Sequence, residues 1–153
     1  EGWQTNAAVS IDNGGDAAQL TYEGFVDVSH NGKEMYLPGG RFVLALKTLG
    51  AARKLKDGMG NPLWAPMAAG APSTILDFPY TIVQDMPTVA ANNKPVTFGD
   101  FKRAYVMADR VSLEVERDGV TQANKGAVRF YARKRLGGQV VLAEALRIMK
   151  IAV

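Results

Sequence analysis

The stretch RAYVMADRVSLEVERD (residues 103–118) alternates between apolar and polar side chains over its second half. In an extended chain, Val111, Leu113 and Val115 point to one face and the polar residues between them point to the other. A similar alternation returns in VRFYARKR (residues 128–135), after the loop sequence DGVTQANKG. Two alternating segments that flank a loop with glycine and asparagine are typical of an antiparallel β-hairpin. We therefore predict a hairpin here.

Charged side chains define the pairing of this predicted hairpin. Folding about the loop places odd-numbered positions opposite even-numbered ones, so that apolar residues face apolar residues. The same pairing sets two glutamates beside two arginines, Glu114 and Glu116 beside Arg129 and Arg133. Such pairs add little stability each, but they fix the register, because a slip of one residue would turn the arginines toward the core. We predict a structural role for these four residues.

The two parts of the chain differ in charge. Residues 1–101 carry 7 basic and 10 acidic side chains, whereas residues 102–153 carry 11 basic and 5 acidic ones. A basic segment is compatible with a small nucleic-acid-binding protein. The alternative is a sheet face on which opposite charges pair, and the spacing of the glutamates and arginines favours it. We therefore expect the RKR run at 133–135 to be half paired rather than a bare binding patch.

Composition narrows the class of protein. The 153 residues are 47% hydrophobic and 22% charged, which suits one compact domain or a large piece of a bigger subunit. No apolar run approaches the roughly 18 residues of a membrane span, so we expect a soluble chain without membrane contact. The absence of cysteine excludes disulfides, thiolate nucleophiles, zinc–thiolate sites and iron–sulfur clusters. The single histidine, His30, falls in the turn-like sequence SHNGK and is interpreted as a solvated residue.

A basic and glycine-rich stretch, RKLKDGMGNPLW (residues 53–64), has the composition of a phosphate-binding loop. Such a loop needs glycines after a strand and before a helix, so that free N–H groups converge on the anion. Here the order is reversed, because leucines and alanines at helical spacing precede the glycines. The stretch is therefore interpreted as a helix end and a turn, after which Trp64 anchors an extended segment in the core.

No motif for catalysis or for cofactor binding is present. The sequence has no GxSxG, HExxH, EF-hand, dinucleotide-binding or Walker pattern. Several aspartates could in principle bind a hard cation, but each lies beside Gly, Pro or a predicted strand end, where turn formation explains it. They are Asp57, Asp77, Asp85, Asp100 and Asp109. We predict no enzyme activity and no catalytic, cofactor-binding or metal-binding residue.

The remaining patterns predict a mixture of helices and short strands, that is, an α+β fold. Asp16 and Gln19 resemble a capping box, which would begin a helix that runs to about Ser29 and closes at Asn31-Gly32, although TYEGFVDVS also alternates like a strand. The sequence LGGQ predicts a turn, and a helical spacing precedes the short apolar end of the chain. The other predictions are a turn at 11–16, a strand at 42–45, a helix at 46–55, strands at 74–76 and 80–83, strand structure from 96 onward, and helical spacing at 143, 146 and 149.

Four blocks of sequence occur in the same order and at similar spacing as in one protein family. They are LKTLGAARKLKDGMGNPLW, ILDFPYTIVQDMP, FGDFKRAYVMADRVSLEVERD and VRFYARKRLGGQVVLAEALRIMKIA. The chain thereby resembles the second half of tailed-bacteriophage major capsid proteins, which have the Hong Kong 97-type shell fold, and gene-transfer-agent shells share the pattern. Residues 36–153 carry the resemblance, and EGWQTN at residues 1–6 resembles the middle of that family.

The resemblance implies a structural subunit of a phage or prophage icosahedral capsid that encloses DNA. Within a single fragment, 1–153, it implies an axial domain over about 16–109 and 137–153 and part of a peripheral domain, a β-hairpin over about 110–136. The implied partners are other copies of the capsid protein, arranged as pentamers and hexamers, and packaged DNA in weak non-specific contact. The implied location is the virion capsid, after assembly in the bacterial host cytoplasm. No cofactor is implied.

The chain begins with Glu1-Gly2-Trp3, without an initiator methionine or a leader. The family's N-terminal arm, extended loop and spine helix would precede residue 1, so we expect a C-terminal piece that folds but forms no closed shell alone. Two rival interpretations remain open from the sequence. One is an encapsulin-type protein cage, which holds cargo enzymes, and the other is the small basic nucleic-acid-binding protein.

Overall fold

The computed structural model describes residues 2–14, 19–56, 59–60 and 74–152. These ranges contain three α-helices and three short 3-10 helices, at Glu34–Gly39, Ala123–Lys125 and Ala143–Ala145. The α-helices are α1 (Tyr22–His30), α2 (Leu46–Arg53) and α3 (Phe101–Ala104). The strands are β1 (Ser10–Asn13), β2 (Arg41–Leu44), β3 (Thr74–Ile75), β4 (Phe78–Ile82), β5 (Val96–Gly99), β6 (Tyr105–Asp118), β7 (Arg129–Val140) and β8 (Leu146–Lys150). This mixture confirms the predicted α+β class.

Six of the described strands form one sheet, in the order β1–β8–β5–β2–β4–β3. β1 runs parallel to β8 and β2 runs parallel to β4, whereas the other neighbouring pairs are antiparallel. The central strands β5 and β2 are almost entirely buried, so their sequences show no apolar–polar alternation. The segment with Pro79 lies toward one edge of the sheet, where a missing N–H costs least.

The larger core lies where α1 packs on this sheet. Phe42 of β2 is opposite Phe98 of β5, with ring centroids 4.7 Å apart, and Phe25 of α1 lies 5.9 Å from Phe42. Leu44, Val96 and Met149 continue this face on neighbouring strands. The opposite face of the sheet carries a second core, formed by Val9, Tyr36, Ala104, Val140, Ala145, Leu146 and Ile148. A sheet covered on both faces explains why β2 carries three consecutive buried apolar residues, Phe42, Val43 and Leu44.

Helix α1 begins later than the sequence predicted. The hydroxyl of Thr21 accepts a hydrogen bond from the Gly24 N–H at 3.2 Å and caps the helix. The predicted cap, Asp16, lies outside the described residues. The alternative strand interpretation of TYEGFVDVS is wrong, because Phe25 and Val28, three positions apart on one helix face, are both fully buried. The helix ends with Asn31 as its C-cap, as predicted.

The end of the chain was predicted as a helix, and this prediction is wrong. A 3-10 turn at Ala143–Ala145 leads instead into β8, which lies between β1 and β5. The strand is buried on both faces, with Leu146, Ile148 and Met149 all inaccessible to solvent. Leu146 and Met149 lie three positions apart on opposite faces of this strand, and the same spacing fits one face of a helix.

Four smaller predictions also fail. LGGQ is not a turn but part of β7, where Gly137 and Gly138 lie opposite residues of β6. Residues 10–13 form β1 instead of a turn, because β8 provides a parallel partner. The short helix α3 interrupts the strand structure expected from 96 onward, because Asp100 accepts hydrogen bonds from the N–H groups of Lys102 and Arg103. Helix α2 ends at Arg53, two residues short of the predicted 55.

Strands β6 and β7 form a separate antiparallel hairpin. Glu114 lies opposite Arg133 and Val115 lies opposite Ala132, so that odd positions face even ones, as predicted. The paired strands run from Tyr105 to Val140, and are longer than the alternating segments in the sequence.

Two irregularities interrupt β6. Register shifts occur between Asp109 and Val111 and again between Val111 and Glu114, and each adds one residue to β6 relative to β7. One extra residue in β6 would turn every later side chain of that strand to the opposite face of the hairpin. A second extra residue turns them back, so that the pairing of faces beyond Glu114 matches the pairing before Asp109. Val111 lies between the two shifts and is opposite Arg135. It therefore lies on the opposite face from Val115, whereas the sequence had predicted that the two valines share a face.

Candidate assembly surface

One face of the hairpin carries a ladder of charged side chains, which we call the ionic face. Residues directly opposite each other in an antiparallel pair share a face. The acidic side chains of this face therefore come from β6 and the basic ones from β7. Its members are Glu114, Glu116, Asp118, Arg129, Tyr131, Arg133 and Arg135.

The structure brings Glu114 and Arg133 into direct contact. Nε of Arg133 donates a hydrogen bond to Oε2 of Glu114 at 2.9 Å. This hydrogen bond, reinforced by the negative charge of Glu114, raises the pKa of Arg133 above its usual value. Both side chains are more than half exposed, so the pair is screened by solvent and contributes little to stability. Its geometry is nevertheless compatible with a role in fixing the register.

Glu116 and Arg129 lie on the same face but are not directly opposite each other. Tyr131 is opposite Glu116, and Asp118 is opposite Arg129, because the register set by Glu114 and Arg133 makes Arg129 only a diagonal neighbour of Glu116. Nη1 of Arg129 instead donates to the Tyr131 hydroxyl at 2.9 Å, and its guanidinium lies 5.6 Å from the centre of that ring. Tyr131 is thus a hydrogen-bond partner of Arg129 on the ionic face.

The carboxylate of Asp118 is used by the hairpin loop. It accepts hydrogen bonds from the hydroxyl and the N–H of Thr121 and from the N–H of Val120. These bonds, with the Thr121 hydroxyl as the largest cause, lower the pKa of Asp118. Asp118 therefore stabilises the start of the loop that joins β6 to β7.

The other face of the hairpin is exposed and carries several large apolar side chains beside Arg117 and an ion pair between Lys134 and Asp109, and we call it the apolar face. Met107, Val115, Phe130 and Leu136 lie on this face and keep between 59% and 68% of their surface accessible. No element in the described part of the chain covers them. A two-stranded hairpin is marginal in water by itself, and a row of exposed large apolar side chains marks an interaction surface.

A polar cluster near the foot of the hairpin had no signal in the sequence. Glu144, in the turn between β7 and β8, accepts a hydrogen bond from the Tyr36 hydroxyl at 2.7 Å and forms an ion pair with Lys33. The bond from Lys33, followed by that from Tyr36, lowers the pKa of Glu144 below its usual value. Lys33 and Glu144 are 111 positions apart, so no local pattern could indicate their contact.

Other predicted features of a site are placed as follows. Trp64 lies outside the described residues. Among the residues that the structure does describe, no three metal-ligating side chains come together. In the same ranges, no helix has the length and apolar character required to span a bilayer.

The family of the chain follows from a match along nearly its whole length. The model of the family described as "Phage capsid family" matches residues 2–151. The chain belongs to the phage capsid family. Its predicted membership is thereby confirmed, and the surfaces described above are those of a capsid-family protein. Among curated proteins, none matches this sequence.

Several solved structures share the fold of this capsid-family chain. The capsid of the empty GTA particle, computed with C5 symmetry, is 37% identical, with a TM-score of 0.81 over 95% of this chain and 50% of that one. The capsid of the native GTA particle is also 37% identical, with a TM-score of 0.80 over 95% of this chain and 55% of that one. Gordonia phage Cozz is 13% identical, with a TM-score of 0.65 over 97% of this chain and 51% of that one.

These matches confirm the predicted Hong Kong 97-type fold. This capsid-family chain spans about half the length of the structures that it matches.

Proposed function

We propose that the chain is the C-terminal part of the major capsid subunit of a phage or prophage, and that it tiles an icosahedral shell enclosing DNA. The observation that carries this proposal is the match to the GTA capsids, which combines 37% identity with a TM-score of about 0.8 over 95% of the chain. Identity at this level over the whole fold favours a shared structural role, which requires no catalytic group.

In this proposal, the two described sheets belong to two domains. The six-stranded sheet and its helices form most of the axial domain, and the hairpin belongs to the peripheral domain. The separation of the sheets supports this division, since neither β6 nor β7 pairs with the larger sheet in the described residues. The hairpin runs from Tyr105 to Val140, so we propose α3 as the boundary on its N-terminal side.

The proposed partners are other copies of the subunit, in pentamers and hexamers. Support comes from the GTA capsids, which were computed with C5 symmetry, and from the apolar face, which needs a cover. Packaged DNA is proposed to make only weak contacts, because Glu114 neutralises part of the basic charge on the ionic face. The proposed location is the virion, after assembly in the bacterial cytoplasm.

The test is to purify DNase-resistant particles from induced cells that encode the chain. Mass spectrometry should identify its peptides as a dominant component of the particles, and electron cryo-microscopy should place the sheet and the hairpin in the shell wall. Particles that lack these peptides would contradict the proposal. Particles that contain the chain but hold a cargo enzyme instead of DNA would favour the encapsulin-type alternative.

A further inference from the structure

Three aromatic rings meet where the hairpin joins the larger sheet. Trp3, from the N-terminal segment, contacts Phe101 at the start of α3 and Tyr105 at the start of β6. The ring centroids are 5.5 Å and 5.9 Å apart, and the interplanar angles of 77° and 86° make both contacts edge-to-face. We call Trp3, Phe101 and Tyr105 the aromatic bracket. Its three rings pack on the second core, which also contains Val140, the last residue of β7.

Gly138 completes the bracket because it leaves room for one of the rings. A Cβ atom at this position would lie 2.3 Å from the Tyr105 hydroxyl oxygen and 2.8 Å from Cζ, closer than such atoms approach. The neighbouring Gly137 has no atom within 4 Å of the same construction. The two glycines of LGGQ therefore differ. A side chain at position 138 would clash with the Tyr105 ring, whereas a side chain at position 137 would meet no such obstacle.

The backbone fixes where the hairpin leaves the sheet. The Asp100 N–H donates to the Ala145 carbonyl at 3.1 Å, and the Val141 N–H donates to the Ala104 carbonyl at 2.9 Å. Gly99, with φ of +146°, brings its backbone so close to Ala145 that a Cβ would lie 2.1 Å from the carbonyl oxygen. These contacts hold both ends of the hairpin at one point.

The direction of the hairpin is not fixed by strand pairing. In the described residues no ladder of hydrogen bonds joins β6 or β7 to the larger sheet. The angle between the two sheets therefore depends on contacts at the junction, where side-chain packing acts together with the backbone hydrogen bonds. The aromatic bracket lies at that root and includes residues from the N-terminal segment, from α3 and from the hairpin itself.

We propose that the aromatic bracket, closed by Gly138, sets the angle at which the hairpin leaves the six-stranded sheet. Tyr105 and Gly138 are then positioning residues for assembly of the shell. The link to assembly rests on the proposed function, whereas the control of the angle does not.

The length of the hairpin makes this angle important. Twelve residues of β7 span about 40 Å at roughly 3.3 Å per residue, so a rotation of about 10° at the root moves the tip by about 7 Å. A displacement of that size would misplace the apolar face relative to whatever covers it. Neighbouring copies would multiply the error around a closed shell.

Distances between spin labels test the proposal directly. The chain has no cysteine, so Lys47→Cys on α2 and Lys125→Cys in the hairpin loop provide two unique labelling sites. The parent pair should give one narrow distance distribution. Gly138→Ala should shift or broaden it by several ångströms, about the movement expected for a rotation of 10°. Gly137→Ala, the matched control, should leave it unchanged.

Two further variants separate positioning from general damage. Trp3→Leu removes the edge-to-face contacts without a steric clash, and should broaden the distribution while the circular dichroism spectrum stays native. In a Tyr105→Ala background, Gly138→Ala should have no further effect, because the clashing ring is absent.

If Trp3→Leu and a folded Gly138→Ala both keep the parent distribution, the bracket does not set the angle. That result would leave the proposed capsid function intact, because the particle experiment tests that function separately.

Discussion

Thr97 lies in the central strand β5 with no accessible surface, and its hydroxyl has no hydrogen-bond partner among the described residues. A buried, unpaired hydroxyl costs stability, whereas a methyl group of the same shape does not. We therefore predict that Thr97→Val raises the free energy of unfolding by about 1 kcal/mol. Chemical denaturation measures this change. The control is Thr81→Val, at an exposed position of β4, which should have little effect. If Thr97→Val lowers the free energy of unfolding, the Thr97 hydroxyl has a hydrogen-bond partner after all.

Glu144 makes stability depend on pH. Its pKa is lowered, first by the hydrogen bond from Lys33 and then by that from Tyr36. A lowered pKa in the folded state means that the contribution is present above the unfolded value of about 4.3, and is lost as pH falls through the lower folded value. We predict that the stability difference between the parent chain and Glu144→Gln is largest near neutral pH and disappears in acid.

Melting temperatures between neutral pH and about pH 3 would show this convergence. The control is Glu34→Gln, an exposed carboxylate in the 3-10 helix that contains Tyr36. A difference that persists unchanged at the acid end would mean that the carboxylate charge is not involved.

At the scale of elements, the hairpin pairing can be tested by a double-mutant cycle. Glu114→Ala and Arg133→Ala remove the two partners of the 2.9 Å contact. We predict a favourable coupling energy that weakens as salt is added, because both side chains are exposed. The matched pair Glu116→Ala and Arg129→Ala, which are not directly opposite, should show a smaller coupling. Equal couplings would mean that a general field, rather than the facing pair, is responsible.

How well each element could be predicted depended on how local its determinants are. The alternation in the outer part of the hairpin gave the correct pairing of odd with even positions, because both partners lie near one loop. Helix α1 was found, but its start was not, because Thr21 is a cap only in the context of the folded chain. β8 was mistaken for a helix, since its burial on both faces depends on β1 and β5.

The ionic face of the hairpin was likewise predictable only where its contacts are local in sequence. The contact of Glu114 with Arg133 could be expected from spacing, whereas the two inserted residues of β6 and the position of Val111 could not. LGGQ was interpreted as a turn because paired glycines usually form one. Its second glycine is instead required by the Tyr105 ring, and that requirement appears only when the strands are paired.

At the scale of the whole molecule, the ion pairs that partly neutralise the basic side chains of the hairpin predict how the chain binds DNA. We expect weak and sequence-independent binding, with dissociation constants between about 1 µM and 100 µM at physiological salt. Fluorescence anisotropy with two unrelated duplexes measures both properties. Replacing Arg133, Lys134 and Arg135 by Gln should reduce the affinity about as much as replacing Lys47, Arg53 and Lys54. Submicromolar binding that only the first triple variant abolishes would support a nucleic-acid-binding protein instead.

The order of strands also bears on how the subunit is made. In the described residues, β8 comes after the other seven strands in sequence, yet it lies inside the sheet, between β1 and β5. Until β8 has been synthesised, β1 has no neighbour in that sheet and β5 presents a bare edge. Pairing partners so distant along the chain must also close a very long loop, which slows folding. A nascent chain is therefore unable to complete this sheet until β8 emerges from the ribosome, and chains terminated before β8 are left with an open edge that favours aggregation over incorporation.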